Sequence, residues 1–319
     1  MQYLAVLFIL FILEILYFKI ADRFNIIDKP NERSSHTQIT LRGGGIIFYL
    51  GALMYFIVSG FEYPYFFIGL TLITVVSFAD DVMTLSSKFR LLIQLLSMIL
   101  MFYQLNLFSE SWWILPIAFI MSIGTINAYN FMDGINGITV SNSLVVLILL
   151  GLVNHQVNFI DESFIYYSIL SVLVFGFYNF RNKAKAFAGD VGSVAIAFII
   201  LFLLIKLMLQ TQNIIFVLFL LVYGLDAVWT IIRRLFRKEN IFEAHRSHLY
   251  QFYANENKSN RLVISAIYGL IQFIVGLIII QFHNTSTEIQ IFIGLALLLI
   301  GSLVYLYLKN RLIKKHQIV

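Results

Sequence analysis

The chain has 319 residues, of which 60% are hydrophobic and 12% are charged, and its mean hydropathy is +0.86. A soluble domain has about 25% charged residues, so this composition excludes one and indicates a membrane protein. The formal net charge is only +5, and the absence of cysteine excludes disulfides, thiolate nucleophiles and cysteine-based zinc sites.

Apolar runs of about 20 residues predict helices that cross a bilayer. The first run has no basic residue before it and is followed by Lys19 and Arg23, which favours an uncleaved helix over a signal peptide. We predict an all-α polytopic membrane protein with one domain over residues 1–319 and about eleven transmembrane helices. The eleven runs lie near residues 3–20, 44–61, 64–79, 91–107, 112–129, 138–153, 164–180, 191–209, 213–231, 262–282 and 288–308.

The basic residues predict the orientation of these helices. All of the 22 Lys and Arg residues except Lys206 fall in segments that eleven helices would place on one side. The positive-inside rule makes that side cytoplasmic, with the N-terminus outside and the C-terminus in the cytoplasm. The cytoplasmic loops predicted to carry the chemistry lie at about 20–43, 80–90, 130–137, 181–190 and 232–261.

Two adjacent acids, Asp80 and Asp81, end the third predicted helix in "FADDVMTLSSKFRLLIQ". An acid at the hydrocarbon boundary is costly, and adjacent carboxylates repel each other. A positive partner is therefore expected nearby, and it could be a divalent cation or the basic residues Lys88 and Arg90.

Further polar groups fall in the next two loops on this side. "NAYNFMDGINGITV" contains Asn130, Asp133 and Asn136, and "FAGDVGS" places Asp190 between glycines before a helix. Each could be an ordinary turn or helix cap. Carboxylate and amide oxygens without cysteine suit Mg²⁺ or Mn²⁺, and Mg²⁺ commonly binds through few protein ligands plus substrate phosphates. The acids therefore suggest phosphate chemistry.

Two basic motifs leave alternatives open. In "LRGGG", Arg42 and the glycines could cradle an anion or form a flexible start of a helix, and the motif is not a P-loop. In "EAHRSHLYQ", Arg246 and His248 fit an anionic sugar nucleotide, while the nearby "IIRRLFRKEN" fits a basic patch on anionic lipid. Asp226 could form a structural ion pair or take part in the site.

The order of these motifs closely resembles the polyprenyl-phosphate N-acetylhexosamine-1-phosphate transferase family, of the glycosyltransferase family 4 type. The resemblance runs through "DKPNERSSH", "RGGG", "DD", "NFMDGINGI", "FAGDVGS" and "HRSHLYQ" and covers residues 28–251. This family includes bacterial initiators of O-antigen, enterobacterial common antigen, teichoic acid and peptidoglycan lipid intermediates.

The resemblance implies that a sugar 1-phosphate passes from a UDP-N-acetylamino sugar to undecaprenyl phosphate, with release of UMP and with Mg²⁺, or alternatively Mn²⁺, as cofactor. It implies a multi-pass protein of the inner membrane whose active site faces the cytoplasm, without nucleic acid as a partner, and a homodimer is a further expectation. The implied residues are catalytic Asp80, Asp81 and Asp133; metal-binding Asp190 and Asn130; and substrate-binding Asn136, Phe187, Asn179, Lys88, Arg90, Arg246, His248, Arg42 and His36.

Within this set, Asp80 would be the favoured base, although a phosphate with a second pKa near 6 needs little help at neutral pH. Phe187 matches the aromatic that stacks on uracil, and Lys88 and Arg90 would hold the lipid phosphate. Arg246 and His248 would face the sugar diphosphate.

The chain also departs from the family pattern. Ile39 and Leu41 replace prolines before the glycine run, and a shift of about one residue affects the match of Asn179. Asn136 replaces the second acid of the usual "DGxDG", which leaves Asp133 as the acid of that loop. "YQ" after His248 resembles the branch that uses 6-deoxy sugars such as FucNAc or QuiNAc, so the sugar could be GlcNAc or one of these.

A transporter or flippase of an anionic solute is the alternative from another class. It predicts ionisable residues near mid-membrane and broken helices in two repeats. The acids of this chain instead cluster towards one face and no repeat is visible, which favours the transferase.

Overall fold

The computed structural model describes residues 1–30, 38–240 and 245–317, and these are helical apart from loops and one short ribbon. Two 3-10 segments, Leu107–Ser109 and Ile214–Leu220, also occur, and the second runs directly into a longer helix. The α-helices are α1 (Gln2–Arg23), α2 (Ile46–Val58), α3 (Pro64–Val82), α4 (Ser87–Gln104), α5 (Ile114–Met132), α6 (Ile138–Val157), α7 (Glu162–Asn179), α8 (Gly189–Thr211), α9 (Leu221–Phe236), α10 (Leu249–Asn255), α11 (Arg261–Phe282) and α12 (Thr287–His316).

Local sequence sets several helix ends. Pro64 lies in the first turn of α3, where its missing N–H costs no hydrogen bond. Ser86 Oγ accepts from Phe89 N at 3.3 Å before α4, and Asn260 Oδ1 accepts from Leu262 N at 2.9 Å before α11. These caps fix the points at which the loops between the helices begin.

Helix α8 forms the centre of the bundle. Within its most apolar stretch 89% of residues are buried, against 17% for α5 and 11% for α12. It packs against α2, α3, α5 and α6. A helix that is apolar all round is stable only when it is surrounded, either by protein or by lipid. The first residues of α8 therefore lie in the middle of one end of the molecule.

All eleven predicted apolar runs are helical, but they differ in their capacity to span a bilayer. In the described chain, eight helical segments are long and apolar enough to cross a membrane, which confirms a polytopic membrane protein. Helix α2 has 13 residues and rises by about 20 Å, which is less than the ~30 Å of a bilayer core. Helices α4 and α7 have 18 residues each but are less apolar.

A two-stranded ribbon departs from the all-α prediction. Strands β1 (Ile27–Asp28) and β2 (Thr40–Leu41) are antiparallel, with Ile27 opposite Leu41. Phe187 N donates to Leu41 O at 2.8 Å, which ties the segment before α8 to the ribbon. The ribbon therefore fixes the first loop beside the start of the central helix.

Candidate active site

A cleft of about 860 Å³, partly open to solvent, lies at the end of the bundle where α8 begins. Its wall is formed by the ribbon, the C-terminal end of α5, the loops before α6 and α8, and α10. The lining residues are Asp28, Arg42, Asn130, Asp133, Gly134, Ile135, Asn136, Asn179, Phe187, Gly189, Asp190, Ser193 and Gln251.

Two arginines join three carboxylates at this end of the molecule. Arg42 Nε lies 2.6 Å from Asp81 Oδ1, and Arg42 Nη2 lies 3.1 Å from Asp190 Oδ1. Arg90 Nη1 lies 2.6 Å from Asp80 Oδ2 and 3.3 Å from Asp190 Oδ2. In their charged forms, the three carboxylates and two guanidinium groups carry a formal net charge of −1, which favours a further cation over an anion.

The electrostatics of Arg42 follow from these contacts. Burial by itself lowers the pKa of a guanidinium, but Asp81 and Asp190 together raise the pKa of Arg42 above its ordinary value. Arg42 therefore stays protonated at the edge of the cleft.

The adjacent acids Asp80 and Asp81 have different surroundings. The Asp81 side chain is fully buried, and it accepts hydrogen bonds from Asp190 N and Val191 N, both at 2.9 Å. It thus caps the N-terminus of α8, where backbone N–H groups lack partners within the helix. Asp80 accepts from Leu85 N at 2.6 Å and otherwise contacts Arg90 and Asp190. Asp81 therefore holds the start of α8 against Arg42, while Asp80 contacts Arg90 and Asp190.

The glycine run of "LRGGG" permits close packing against the start of α8. A Cβ on Gly45 would lie 2.4 Å from the Cα of Gly192, and Gly189 has a φ of +72°. Gly44 N and Gly45 N donate to Phe187 O and Ala188 O. Since these N–H groups are already used, the structure favours a packing role for the glycines over the anion cradle considered from the sequence.

Asp133 lines the cleft just after the end of α5. Thr139 Oγ1 donates to its Oδ1 at 2.7 Å. Burial raises the pKa of Asp133 to about 6, so the carboxyl is still mostly ionised at neutral pH.

Asn130 lies on the last turns of α5, opposite α8. Its Nδ2 donates to Ser193 Oγ at 3.1 Å, and its side chain also hydrogen-bonds with Asp190. The amide carbonyl is then the oxygen that this residue could offer to a cation. Asn130 and Asp190 are therefore close enough to serve one ligand.

Asn136 and Asn179 connect the two loops that form the opposite wall. Asn136 Nδ2 donates to Arg181 O at 2.6 Å. Asn179 accepts from Gly137 N at 2.8 Å and donates to Ala186 O at 2.9 Å. Both amides are buried, and together they hold Phe187 at the cleft. Their contacts in this structure are with the backbone.

Several residues predicted to bind substrate lie elsewhere. Lys88 is exposed and outside the cleft lining, although Arg90, two residues later, joins the acidic cluster. Arg246 is 46% exposed and lies 3.9 Å from Glu256. His36 lies outside the described residues.

His248 is buried behind the cleft and not on its surface. Its Nδ1 lies 3.2 Å from Asp226 Oδ1, and Asp226 also accepts from Leu249 N at 3.0 Å and Tyr268 OH at 2.8 Å. These bonds anchor the start of α10. Asp226 is thus paired with His248 in this network, and of the "HRSHLYQ" motif Gln251 alone lines the cleft.

Three cleft residues with polar side chains were not selected from the sequence: Asp28, Ser193 and Gln251. Asp28 follows Ile27 in β1, and neighbouring residues of a strand point to opposite faces. Had the strand been predicted from the sequence, this alternation would have placed Asp28 on the face opposite Ile27. Ser193 lies one turn after Asp190 on α8, which is a spacing that brings side chains together. Nothing local marks Gln251, since its position depends on how α10 docks.

Comparisons with known proteins match a stretch of the chain that contains most of the acids of the site. Residues 63–208 match the family described as glycosyl transferase family 4, a stretch that contains Asp80, Asp81, Asn130, Asp133 and Asp190.

Three relatives are similar over most of their length. A probable undecaprenyl-phosphate N-acetylglucosaminyl 1-phosphate transferase of Bacillus subtilis is 28% identical over 86% of this chain and 82% of the relative. The undecaprenyl-phosphate alpha-N-acetylglucosaminyl 1-phosphate transferases of Yersinia pestis and Thermotoga maritima are each 24% identical. They cover 92% and 81% of this chain and 86% and 83% of the relatives. With the acidic cluster and the order of its motifs, these similarities support a relationship of the chain to glycosyl transferase family 4, whose model matches residues 63–208.

Proposed function

We propose that the protein transfers a sugar 1-phosphate from a UDP-N-acetylamino sugar to undecaprenyl phosphate. An oxygen of the acceptor phosphate forms a bond to the sugar-bearing β-phosphorus. The bond from that phosphorus to the bridging oxygen breaks, and UMP leaves with this oxygen. The names of the three relatives support the acceptor and the sugar, and the product would start a lipid-linked cell-surface glycan.

The observation that carries the proposal is the convergence of Asp80, Asp81 and Asp190 on Arg42 and Arg90 beside an open cleft. Phosphoryl transfer depends mainly on positioning and on neutralising charge, and it needs little covalent chemistry from the protein. Fixed guanidinium groups beside an acidic cation site provide both. Such an arrangement suits two phosphate-bearing substrates that must approach each other.

The residues at the start of α8 fit a divalent cation such as Mg²⁺. The carboxylates of Asp80 and Asp190 already converge on one positive group, Arg90 Nη1, at 2.6 and 3.3 Å. Asp190 and Asn130 would hold the ion with oxygen ligands, which Mg²⁺ prefers. When bound, the ion would neutralise charge on the donor diphosphate.

The protein groups have separate roles in this proposal. Arg90 orients the acceptor phosphate, and Asp80 holds Arg90 in place. The acceptor phosphate, with a second pKa near 6, is largely ionised at neutral pH, so proton removal by Asp80 contributes little. Phe187 offers a ring to the uracil, and Asp133 faces the reacting phosphates from the other wall of the cleft.

The sugar is proposed to be an N-acetylamino sugar, either GlcNAc or a 6-deoxy relative such as FucNAc or QuiNAc. Gln251 lines the cleft, and its Oε1 is fixed by His248 N at 3.1 Å. Its amide nitrogen is therefore directed by a buried bond and can donate to a sugar substituent.

We also propose eleven crossings, an outer N-terminus and a cytoplasmic active site. The ends of α3, α5, α7 and α9 and the starts of α4, α6, α8 and α11 belong to loops at the same end of the bundle as the cleft. Nearly all Lys and Arg residues lie in loops or helix ends of this side, which the positive-inside rule assigns to the cytoplasm.

The test is a donor panel. Membranes containing the protein are mixed with undecaprenyl phosphate, Mg²⁺ and one of several UDP-N-acetylamino sugars, and UMP and the lipid product are measured. Membranes containing Asp190→Asn are the control. UMP formation that requires both substrates supports the transferase, and its absence with every donor contradicts it.

A further inference from the structure

A second depression lies on the other side of the β1–β2 ribbon from the cleft. In β1, Asp28 lines the cleft while its neighbour Ile27 lines this second groove, and after β2 Arg42 lies on the cleft side. The groove has a volume of about 1010 Å³, including space open to its surroundings. Its lining residues are Ile15, Phe18, Lys19, Asp22, Ile27, Ile39, Thr40, Leu41 and Lys185.

One face of α1 forms the apolar wall of this groove. Ile15, Phe18, Lys19 and Asp22 recur at the spacing of a single helix face. Because α1 is long and apolar enough to span a membrane, its last turns lie at the boundary between hydrocarbon and headgroups. Ile15 is 45% exposed and Ile39 on the ribbon side is 63% exposed, so apolar side chains face outwards there. The groove therefore opens towards lipid.

The two lysines of the groove are unpaired in the described part of the chain. Lys19 and Lys185 are exposed, and neither forms an ion pair with any described residue. Lys185 Nζ lies 5.5 Å from the centre of the Phe18 ring, over the groove floor. Asp22 lies in the same lining, so two ammonium groups and one carboxylate leave a single positive charge.

We propose that this groove binds an anionic phospholipid of the bilayer. The phosphodiester, with one negative charge, lies between Lys19 and Lys185, and an acyl chain follows Ile15 and Phe18 into the membrane. Asp22 accepts a hydrogen bond from a hydroxyl of the headgroup, which favours phosphatidylglycerol. A single net positive charge suits a phosphodiester better than a phosphate monoester, which carries close to two charges at neutral pH.

The position of the lipid connects it to the cleft. Leu41 forms part of the groove wall and accepts the hydrogen bond from Phe187 N, and the next residue, Arg42, pairs with Asp81 and Asp190. A lipid against the ribbon would thus press on the strand that presents Arg42. The proposal concerns binding, and it does not depend on the reaction proposed above.

The test measures phosphatidylglycerol binding to the purified full-length chain by native mass spectrometry, without any nucleotide sugar. For the double variant Lys19→Ala with Lys185→Ala, we expect binding about 30-fold weaker than in the wild type. That ratio corresponds to about 2 kcal/mol, with about 1 from each lysine at a membrane surface. Phosphatidylcholine binding should be unchanged.

The matched control is Lys29→Ala with Lys183→Ala, which removes the same charge at positions ten and two residues away in the chain. Both lysines are exposed and lie outside the groove lining. Wild-type affinity in the groove variant would overturn the proposal, and so would equal losses in both double variants. A groove variant that loses undecaprenyl phosphate but keeps phosphatidylglycerol would also overturn it, because the occupant would then be the acceptor. Melting temperatures check that both variants are folded.

Discussion

Two groups of charged residues lie near the same end of this protein, and they differ in burial and in how completely their charges are satisfied. The α8 cluster consists of Arg42, Asp80, Asp81, Arg90 and Asp190. The α10 cluster consists of Asp226, His248, Tyr268, Tyr305 and Lys309.

In the α10 cluster one carboxylate accepts several hydrogen bonds in a closed space. Asp226 is 1% exposed, and backbone, imidazole and phenol groups of α10 and its N-cap, α11 and α12 hydrogen-bond to it. In the α8 cluster the carboxylates outnumber the guanidinium groups and an open cleft adjoins them. A buried charge therefore does not mark an active site by itself. A surplus of charge beside open space does, because it can be completed by a ligand.

The largest expected effect is the loss of turnover in Asp190→Asn. This change keeps the shape of the side chain but removes the charge that holds Arg42, Arg90 and the proposed cation. We expect the rate of UMP release to fall by about a thousandfold, with an unchanged melting temperature in detergent. Activity within a few fold of wild type would show that the α8 cluster is structural in the same way as the α10 cluster.

Asp226→Ala should have the opposite profile. It leaves Leu249 N, His248 and Tyr268 without their acceptor, and breaking a buried pair in this way costs about 3–5 kcal/mol. Unfolding in detergent should therefore occur at clearly lower temperature or denaturant concentration. The protein that remains folded should keep more activity than Asp190→Asn, and a variant that is stable but inactive would contradict the comparison.

Variants of the neighbouring residues Arg90 and Lys88 distinguish the α8 cluster from the exposed charges around it. Arg90→Gln removes the group that joins Asp80 to Asp190 and should lower kcat/KM by about a hundredfold. Lys88→Gln removes an exposed charge and should change it by less than about fivefold. Steady-state kinetics of both variants decide the matter, and equal effects would place Lys88 in the substrate path.

The smallest expected effect is a pH dependence that comes from Asp133. Burial raises its pKa from 3.8 to about 6, so the folded state favours the protonated form. That stabilising contribution is complete below about pH 4 and is lost as the pH rises through about 6. Relative to Asp133→Asn, the unfolding free energy of the wild type should thus fall between these values. Unfolding curves at several pH values test this, and a constant difference would contradict it.

Much of the fold could be predicted from the sequence because its signals are local. The eleven apolar runs are all helical in the structure, since apolar length alone favours helices in a membrane. The short ribbon escaped prediction because strands of two residues carry no readable pattern. The length of α2 was overestimated, as the neighbouring glycines and loop residues are apolar without being helical.

The sequence by itself determined the class of protein, the resemblance to a transferase family and the loops that carry acids and amides, because composition, hydropathy and motif order do not depend on packing. Tertiary structure alone decided what each polar group touches. Asp81 caps a helix that begins 108 residues later, His248 is turned towards Asp226, and Gln251 reaches the cleft. Contacts across such separations arise only when the helices pack, since hydrogen-bond geometry is set by the relative placement of elements that are distant in the chain.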